Sequence, residues 1–111
     1  MKAFHYTDLQ AEQVREGAKG VTLRWLISAK DGAPNFAMRL FEFEPGGYTP
    51  QHTHAWEHEV FVLSGEGQVK GAEAATSLKE GSVVCMPPGT LHQFVAGPRG
   101  MRMICCIPNP K

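Results

Sequence analysis

Glycine and proline residues divide this sequence into many short segments, and that division constrains the fold more than any other feature. The chain contains 12 glycines and 8 prolines, grouped in turn-forming stretches such as KDGAP, EPGG, SGEG and PPGT. Between them lie runs rich in β-branched, aromatic and other apolar residues, which favour strands. These runs are 21–28, 36–44, 58–65, 67–71, 82–86, 91–96 and 101–107. Many short strands predict an all-β sandwich or barrel, and the only candidate helix lies near 8–15.

Chain length and charge narrow the range of partners. At 111 residues and 12.2 kDa, the chain fits one domain, 1–111. Eleven basic and eleven acidic side chains cancel, so neither a nucleic acid nor a membrane surface is an expected partner. A small-molecule substrate remains the expected ligand.

The cysteines and the hydrophobic pattern predict a cytoplasmic protein. The first twenty residues lack the apolar run of a signal peptide, and no stretch approaches the ~20 apolar residues of a membrane span. Cys85, Cys105 and Cys106 are odd in number and lack the spacing of a disulfide framework. They are therefore expected to be reduced thiols.

Alternation along two runs predicts which side chains face the interior. Successive residues of a strand point to opposite faces, and Glu42 and Glu44 are expected to face solvent. Their odd-numbered neighbours Arg39, Phe41 and Phe43 then face inward. In the last run an outward Arg102 turns the alternate residues inward, namely Met101, Met103, Cys105 and Ile107.

Four of the five histidines suggest a metal site. His52, His54 and His58 fall within seven positions of QHTHAWEHEV, and His92 follows a Pro-Gly turn in PPGTLHQF. His52 and His54 project from one side of an extended segment, and His92 can approach them across a barrel. Clustered imidazoles bind divalent transition metals at ~2.0–2.1 Å. His5 stands alone and is expected at the surface.

The histidine segments resemble the two motifs of the cupin superfamily. The first, G-x5-H-x-H-x3,4-E-x6-G, is matched by Gly46, His52, His54 and Gly65, with His58 where glutamate usually stands. The second, G-x5-P-x-G-x2-H-x3-N, is matched by Gly81, Pro87, Gly89 and His92, with Ala96 in place of asparagine. The sequence around these motifs is similar to that of small bacterial cupins that bind manganese or a similar ion through four histidines. The resemblance implies a double-stranded β-helix, also called the jelly-roll or cupin barrel, with a metal ion bound inside one end. It also implies a homodimer, which is the usual assembly of such proteins.

The fourth ligand can be assigned in two ways. Glu59 fits the motif if the longer spacing applies, whereas His58 preserves the six-residue interval to Gly65. His58 is the favoured ligand. Four neutral imidazoles would leave the ion its full positive charge and, on an octahedral ion, two open positions. Manganese or iron is preferred from the resemblance, and zinc, nickel or copper would also accept imidazoles.

The function implied by the resemblance is a metal-dependent enzyme. A dioxygenase-type oxidoreductase acting on an oxygen-chelating substrate is favoured, with an isomerase or a lyase as further options. The alternative is a non-catalytic module that binds a metal or small ligand, and a storage-protein role fits the short chain least. Cupins support many chemistries, so the fold alone does not decide among these.

The remaining site predictions concern the pocket around the metal. Tyr48 and Trp56 are candidates for its mouth, and Phe94, Met103, Cys105 and Ile107 for its apolar wall. Arg39 is costly inside a barrel unless it is paired. It is expected either to pair with an internal acid or to anchor an anionic substrate. Glu57 and Glu59 are expected to be solvated or to lie at a dimer contact.

Overall fold

The protein is an all-β double-stranded β-helix. The computed structural model describes residues 1–109, so Pro110 and Lys111, the last two residues of the predicted domain, lie outside it. Its strands are β1 (Glu12–Gln13), β2 (Lys19–Ile27), β3 (Phe36–Tyr48), β4 (His58–Lys70), β5 (Ala75–Lys79), β6 (Val83–Met86) and β7 (Gln93–Pro108). The predicted fold class is therefore confirmed.

Three long strands form the centre of the barrel. The strands pair antiparallel in the order β1-β2-β3-β7-β4-β5, and β6 also pairs with β4. Two of these strands contain register shifts: β3 between Phe43 and Tyr48, and β4 around Gly65. Gly65 has a φ of 80°, and a Cβ there would lie 2.2 Å from the carbonyl oxygen of Gly100. Only glycine fits this crossing of β4 and β7.

The interior is filled by alternate residues of the long strands. Phe41 and Phe43 from β3 are buried, as are the four β7 residues predicted to face inward, Met101, Met103, Cys105 and Ile107. Val60 and Val62 of β4 complete the same core. The inward alternation predicted for β3 and β7 is confirmed, and it directs Arg39 towards the same end of the interior as the histidines.

The N-terminal segment differs from the prediction. A 3-10 turn at Tyr6–Asp8, capped by the His5 side chain, replaces the candidate helix near 8–15, and β1 follows. Tyr6 lies against the guanidinium groups of Arg24 and Arg102, so the segment is held by the outer face of the sheet. Among residues 1–109, no helix is long and apolar enough to cross a membrane.

Candidate metal centre

Two chain segments bring the four histidines together. His52 and His54 lie between β3 and β4, His58 is the first residue of β4, and His92 directly precedes β7. His52 and His92 exchange backbone hydrogen bonds of 3.1 and 3.0 Å, and the amide of Gly89 donates to the carbonyl of His54 at 2.8 Å. The Pro-Gly turn and the histidine-rich loop are thus held against each other by their backbones.

The side chains of three histidines converge closely. Ligand atoms of His52, His54 and His92 all lie within 4.8 Å of one another. The ring centroids of His52 and His92 are 4.9 Å apart, and each lies 5.0 Å from that of His54. Two nitrogens bound to one cation at ~2.0–2.1 Å lie at most ~4.2 Å apart, so this grouping is compact enough for one cation to bind all three after small side-chain movements.

His58 lies beside this group of three rather than within it. Its ring stacks on that of His54 with a centroid separation of 4.1 Å, and its centroid is 5.3 Å from that of His92. The Nε2 atoms of His58 and His54 are 2.5 Å apart. Adjacent ligand nitrogens on one ion at ~2.0–2.1 Å are ~3 Å apart, so the two Nε2 atoms must separate slightly before both histidines can bind one ion.

The second ring nitrogen of three histidines has a fixed partner. Nδ1 of His54 lies 3.2 Å from the carbonyl oxygen of Trp56, and Nδ1 of His92 lies 2.8 Å from that of Thr90. Because a carbonyl only accepts, it places the proton on Nδ1 and leaves the lone pair on Nε2. Nδ1 of His58 instead lies 3.2 Å from Cys105 Sγ. Such contacts are typical of the groups that orient metal-binding imidazoles.

Burial favours the neutral form of three of the imidazoles, which is the form that metal ions require. It lowers the pKa of His52 and His54 and lowers the pKa of His58 to about 3, with smaller effects from the neighbouring histidines and from the positive charge of Arg39. Neutral imidazoles offer a free lone pair at neutral pH. The donor set therefore fits a divalent transition metal.

The histidines border a small, largely apolar cavity of about 220 Å³. Its lining residues are Val14, Leu23, Arg39, Phe41, Thr49, Pro50, His52, His54, Trp56, His58, His92, Phe94, Met103 and Cys105. Neither aspartate nor glutamate is among these described residues. Pockets for drug-sized ligands occupy ~300–1,000 Å³, so a larger ligand would extend through the mouth. A wider surface groove of about 800 Å³ beside the Glu66–Arg99 ion pair contains none of the histidines.

The structure brings most, but not all, of the predicted pocket residues to this cavity. Trp56, Phe94, Met103 and Cys105 line it, whereas Tyr48 and Ile107 do not. Tyr48 pairs with Val95 within the sheet and is only partly buried, and Ile107 packs in the barrel core.

Five lining residues were not among the predicted pocket residues: Val14, Leu23, Phe41, Thr49 and Pro50. Thr49 directly follows β3 and is buried, but the register of β3 shifts between Phe43 and Tyr48, so alternation from Phe43 did not indicate it. Val14 reaches the cavity because its amide donates to the carbonyl of Val21 at 3.0 Å. That long-range contact has no sequence pattern.

Arg39 reaches the cavity without a carboxylate partner among the described residues. Its guanidinium lies 5.0 Å from the ring centroid of Phe41 and 5.5 Å from that of Trp25, and its Nη2 donates to Cys105 Sγ at 3.0 Å. Its buried Nε has no hydrogen-bond partner within residues 1–109. The internal acid that could have made Arg39 purely structural is not found there.

The acids near the histidines form a separate, exposed group. Glu57 and Glu59 cluster with Cys85 rather than with the histidine nitrogens, and all three are exposed. Burial and the neighbouring Glu57 raise the pKa of Glu59. Cys85, Cys105 and Cys106 are free thiols.

Comparison with known proteins identifies the family. Residues 39–107, more than half of the chain, match the family model described as a cupin domain. The chain belongs to the cupin family. The histidine cluster of this cupin therefore lies within the part of the chain that the family model covers, between His52 and His92.

Individual proteins are similar to this cupin over almost its whole length. The structure of the polyketide cyclase RemF from Streptomyces resistomycificus is 40% identical with a TM-score of 0.92, covering 99% of this cupin and 80% of the cyclase. An uncharacterized protein of Streptomyces coelicolor is 29% identical over 100% of this chain and 99% of its own. A cupin-2 domain protein of Rhodospirillum rubrum, 23% identical with a TM-score of 0.86 over 99% of this chain and 76% of its own, resembles it in fold.

Proposed function

We propose that this cupin is a metal-dependent enzyme that acts on an oxygen-chelating small molecule. In this proposal the metal ion is held by His52, His54, His58 and His92, of which His58 joins the other three by a small separation of its Nε2 from that of His54. The observation that carries it is the convergence of three histidine ligand atoms within 4.8 Å at an apolar cavity. Manganese or iron is the preferred ion, and zinc, nickel and copper also suit an all-imidazole site.

The proposed substrate is a β-diketone or related enol that presents two oxygens. When bound, the metal ion would act as a Lewis acid towards these oxygens. Arg39 is proposed to neutralise the enolate charge, because its unpaired Nε is free to donate and a guanidinium binds oxygen anions strongly. Phe94 and Met103 would exclude water from the reacting carbons, since both are buried at the cavity wall.

The favoured reaction is a cyclisation of a polyketone chain. The support is the 40% identity with a polyketide cyclase over 99% of this chain. In such a reaction a carbon–carbon bond forms between an enolate carbon and a ketone carbon of the same molecule, and the ketone oxygen takes up a proton. No oxidant is consumed. A substrate longer than the 220 Å³ cavity would pass Trp56, which is 44% exposed and stacks on His54.

The first alternative, which the sequence favoured, is a dioxygenase that acts on the same class of substrate. The second alternative is a non-catalytic binding module. Both would use the same histidines and the same cavity. They differ from cyclisation in their stoichiometry, because a dioxygenase consumes one molecule of oxygen per turnover and a binding module consumes nothing.

Anaerobic turnover separates the three functions. The metal-loaded protein is incubated, under nitrogen and in air, with a linear polyketone that can cyclise to an aromatic ring. Products are identified by mass spectrometry, and oxygen uptake is measured in parallel. The proposal predicts a cyclised product, isomeric with the substrate or lighter by one water, at equal rates in both atmospheres, and none with His92→Ala. Oxygen uptake with a product heavier by two oxygens, or tight binding without turnover, would contradict cyclisation.

A further inference from the structure

One buried thiol contacts two groups of the histidine cavity at once. Cys105 Sγ lies 3.0 Å from Nη2 of Arg39 and 3.2 Å from Nδ1 of His58. Cys105 is 1% exposed and His58 is 6% exposed, so water does not compete for either contact. Among the described residues, the thiol is the only polar partner of His58 Nδ1.

This partner differs in kind from those of the neighbouring ligands. His54 and His92 direct Nδ1 at backbone carbonyls, which accept a hydrogen bond and cannot donate one. A thiol can do both, although each of its hydrogen bonds is weaker. The carbonyls therefore fix one tautomer of their histidines, whereas Cys105 accommodates both tautomers of His58.

We propose that Cys105 is a positioning residue that holds the His58 ring through a change of tautomer. In the metal-free protein the S–H group donates to an unprotonated Nδ1. When Nε2 binds the metal ion, the ring proton lies on Nδ1 and is donated to the sulfur, whose S–H turns away. This inference rests on the proposed ligation by His58.

Arg39 gives the thiol a fixed position in both states. Arg39 and Cys105 face each other across β3 and β7, and the guanidinium donates to a sulfur lone pair whichever way the S–H points. Sulfur has a second lone pair for the His58 proton. The same contact keeps the guanidinium beside the site, so Cys105 orients both His58 and Arg39.

Metal affinity measured with zinc alone tests this role without any assay of turnover. Metal-free wild type, Cys105→Ala and Cys105→Ser compete with a chromophoric chelator for zinc. The matched control is Cys106→Ala, the adjacent thiol, which is partly exposed on the opposite face of β7 and is not among the cavity residues. Removing the partner of a metal-binding histidine typically lowers affinity ~10–100-fold. Cys105→Ala should show such a loss, Cys105→Ser should recover most of it because a hydroxyl also donates and accepts, and Cys106→Ala should match wild type.

The imidazole tautomer supplies a second readout, which is measured on the wild-type protein. The protein is labelled with ¹⁵N-histidine, and the signals of His58 are assigned by comparison with His58→Gln. The ring proton of His58 should lie on Nδ1 in the zinc-loaded protein and on Nε2 in the metal-free protein. A His58 that keeps one tautomer in both states would overturn the proposal. So would wild-type zinc affinity in Cys105→Ala when His58→Ala has lost it. If His58→Ala instead bound zinc with wild-type affinity, His58 would not be a metal ligand. That result would overturn both the proposed set of four ligands and this inference.

Discussion

Arg39 and Cys105 pair directly across β3 and β7, and the Arg39 guanidinium donates to the cysteine sulfur at 3.0 Å. The rest of the guanidinium lies over the rings of Phe41 and Trp25. Since the lining of the histidine cavity contains no carboxylate among the described residues, the positive charge there has no protein counter-charge. An anionic ligand would supply it.

Replacing Arg39 with methionine is therefore expected to discriminate between ligand charges. Arg39→Met should retain the metal and the fold but weaken binding of an anionic β-diketone by ~10-fold or more, because a hydrogen bond to a charged group contributes ~1.5–3 kcal/mol. A neutral analogue of similar shape should bind almost as before. Calorimetric titration of the metal-loaded protein with both ligands checks this. The control is Arg102→Met, because Arg102 pairs with Glu42 outside the cavity. An unchanged ratio of the two affinities would remove Arg39 from the site.

The outer face of the barrel predicts a homodimer. Val83, Phe61 and Ile104 lie side by side across β6, β4 and β7, and Val83 and Phe61 are 73% and 47% exposed. A contiguous apolar row of this kind is typical of an interface, and we expect a second copy of this chain to cover it. Sedimentation at micromolar concentration should show a dimer that Phe61→Lys converts to monomer. Gln68→Lys, which adds the same charge elsewhere on β4, should remain dimeric. A monomeric wild type would contradict this expectation.

The crossing of β4 and β7 should tolerate no side chain at Gly65. Gly65→Ala would combine a φ of 80° with a backbone oxygen 2.2 Å from the new methyl carbon, and we expect it to lower the free energy of unfolding by ~3 kcal/mol or more. Gly81 has a φ of 86°, and a Cβ added there would have no neighbouring atom within 4 Å. Gly81→Ala should cost only ~1–2 kcal/mol. Urea unfolding of both variants measures the difference, and equal losses would show that the close approach is unimportant.

Acid should destabilise the metal-free protein before its carboxylates titrate. Burial lowers the folded-state pKa of His58 to about 3 from the usual 6.5. The folded state therefore binds this proton less readily than the unfolded state. Its contribution is fully present above pH 6.5 and is lost as the pH falls towards 3. Urea unfolding between pH 6.5 and 5 should show falling stability, and His58→Asn should reduce the slope by up to ~1.4 kcal/mol per pH unit. An identical slope in both proteins would contradict a neutral, buried His58.

The parts of the fold that were predictable are those encoded by local alternation. Glu42 and Glu44 between apolar neighbours indicated the inner face of β3, and Arg102 did the same for β7. The continuity of the long strands was not predictable, because the SGEG stretch reads as a turn but forms a bend within β4. The strand β5 was missed because four of its five residues are exposed, which removes the apolar signal.

At the site, the sequence motif indicated which histidines approach one another but could not give their ring orientations. His58 stacks on His54 and contacts Cys105, which lies 47 positions further along the chain. Tyr48 was chosen as a mouth residue for its closeness to His52, whereas the next residue, Thr49, lines the cavity. The register shift of β3 between Phe43 and Tyr48 hides from the sequence which of these two residues faces inward.

Metal stoichiometry is the most direct test of a four-histidine centre. Elemental analysis of protein purified without added metal should find close to one transition-metal ion per wild-type chain, preferably manganese or iron. Single alanine variants of His52, His54, His58 and His92 should each lose most of this metal while circular dichroism still reports a folded β-protein. Glu59→Ala is the matched control and should retain it. Full occupancy in His58→Ala together with loss in Glu59→Ala would transfer the fourth position to the glutamate, and a metal-free wild type that binds no added ion would contradict the metal centre itself.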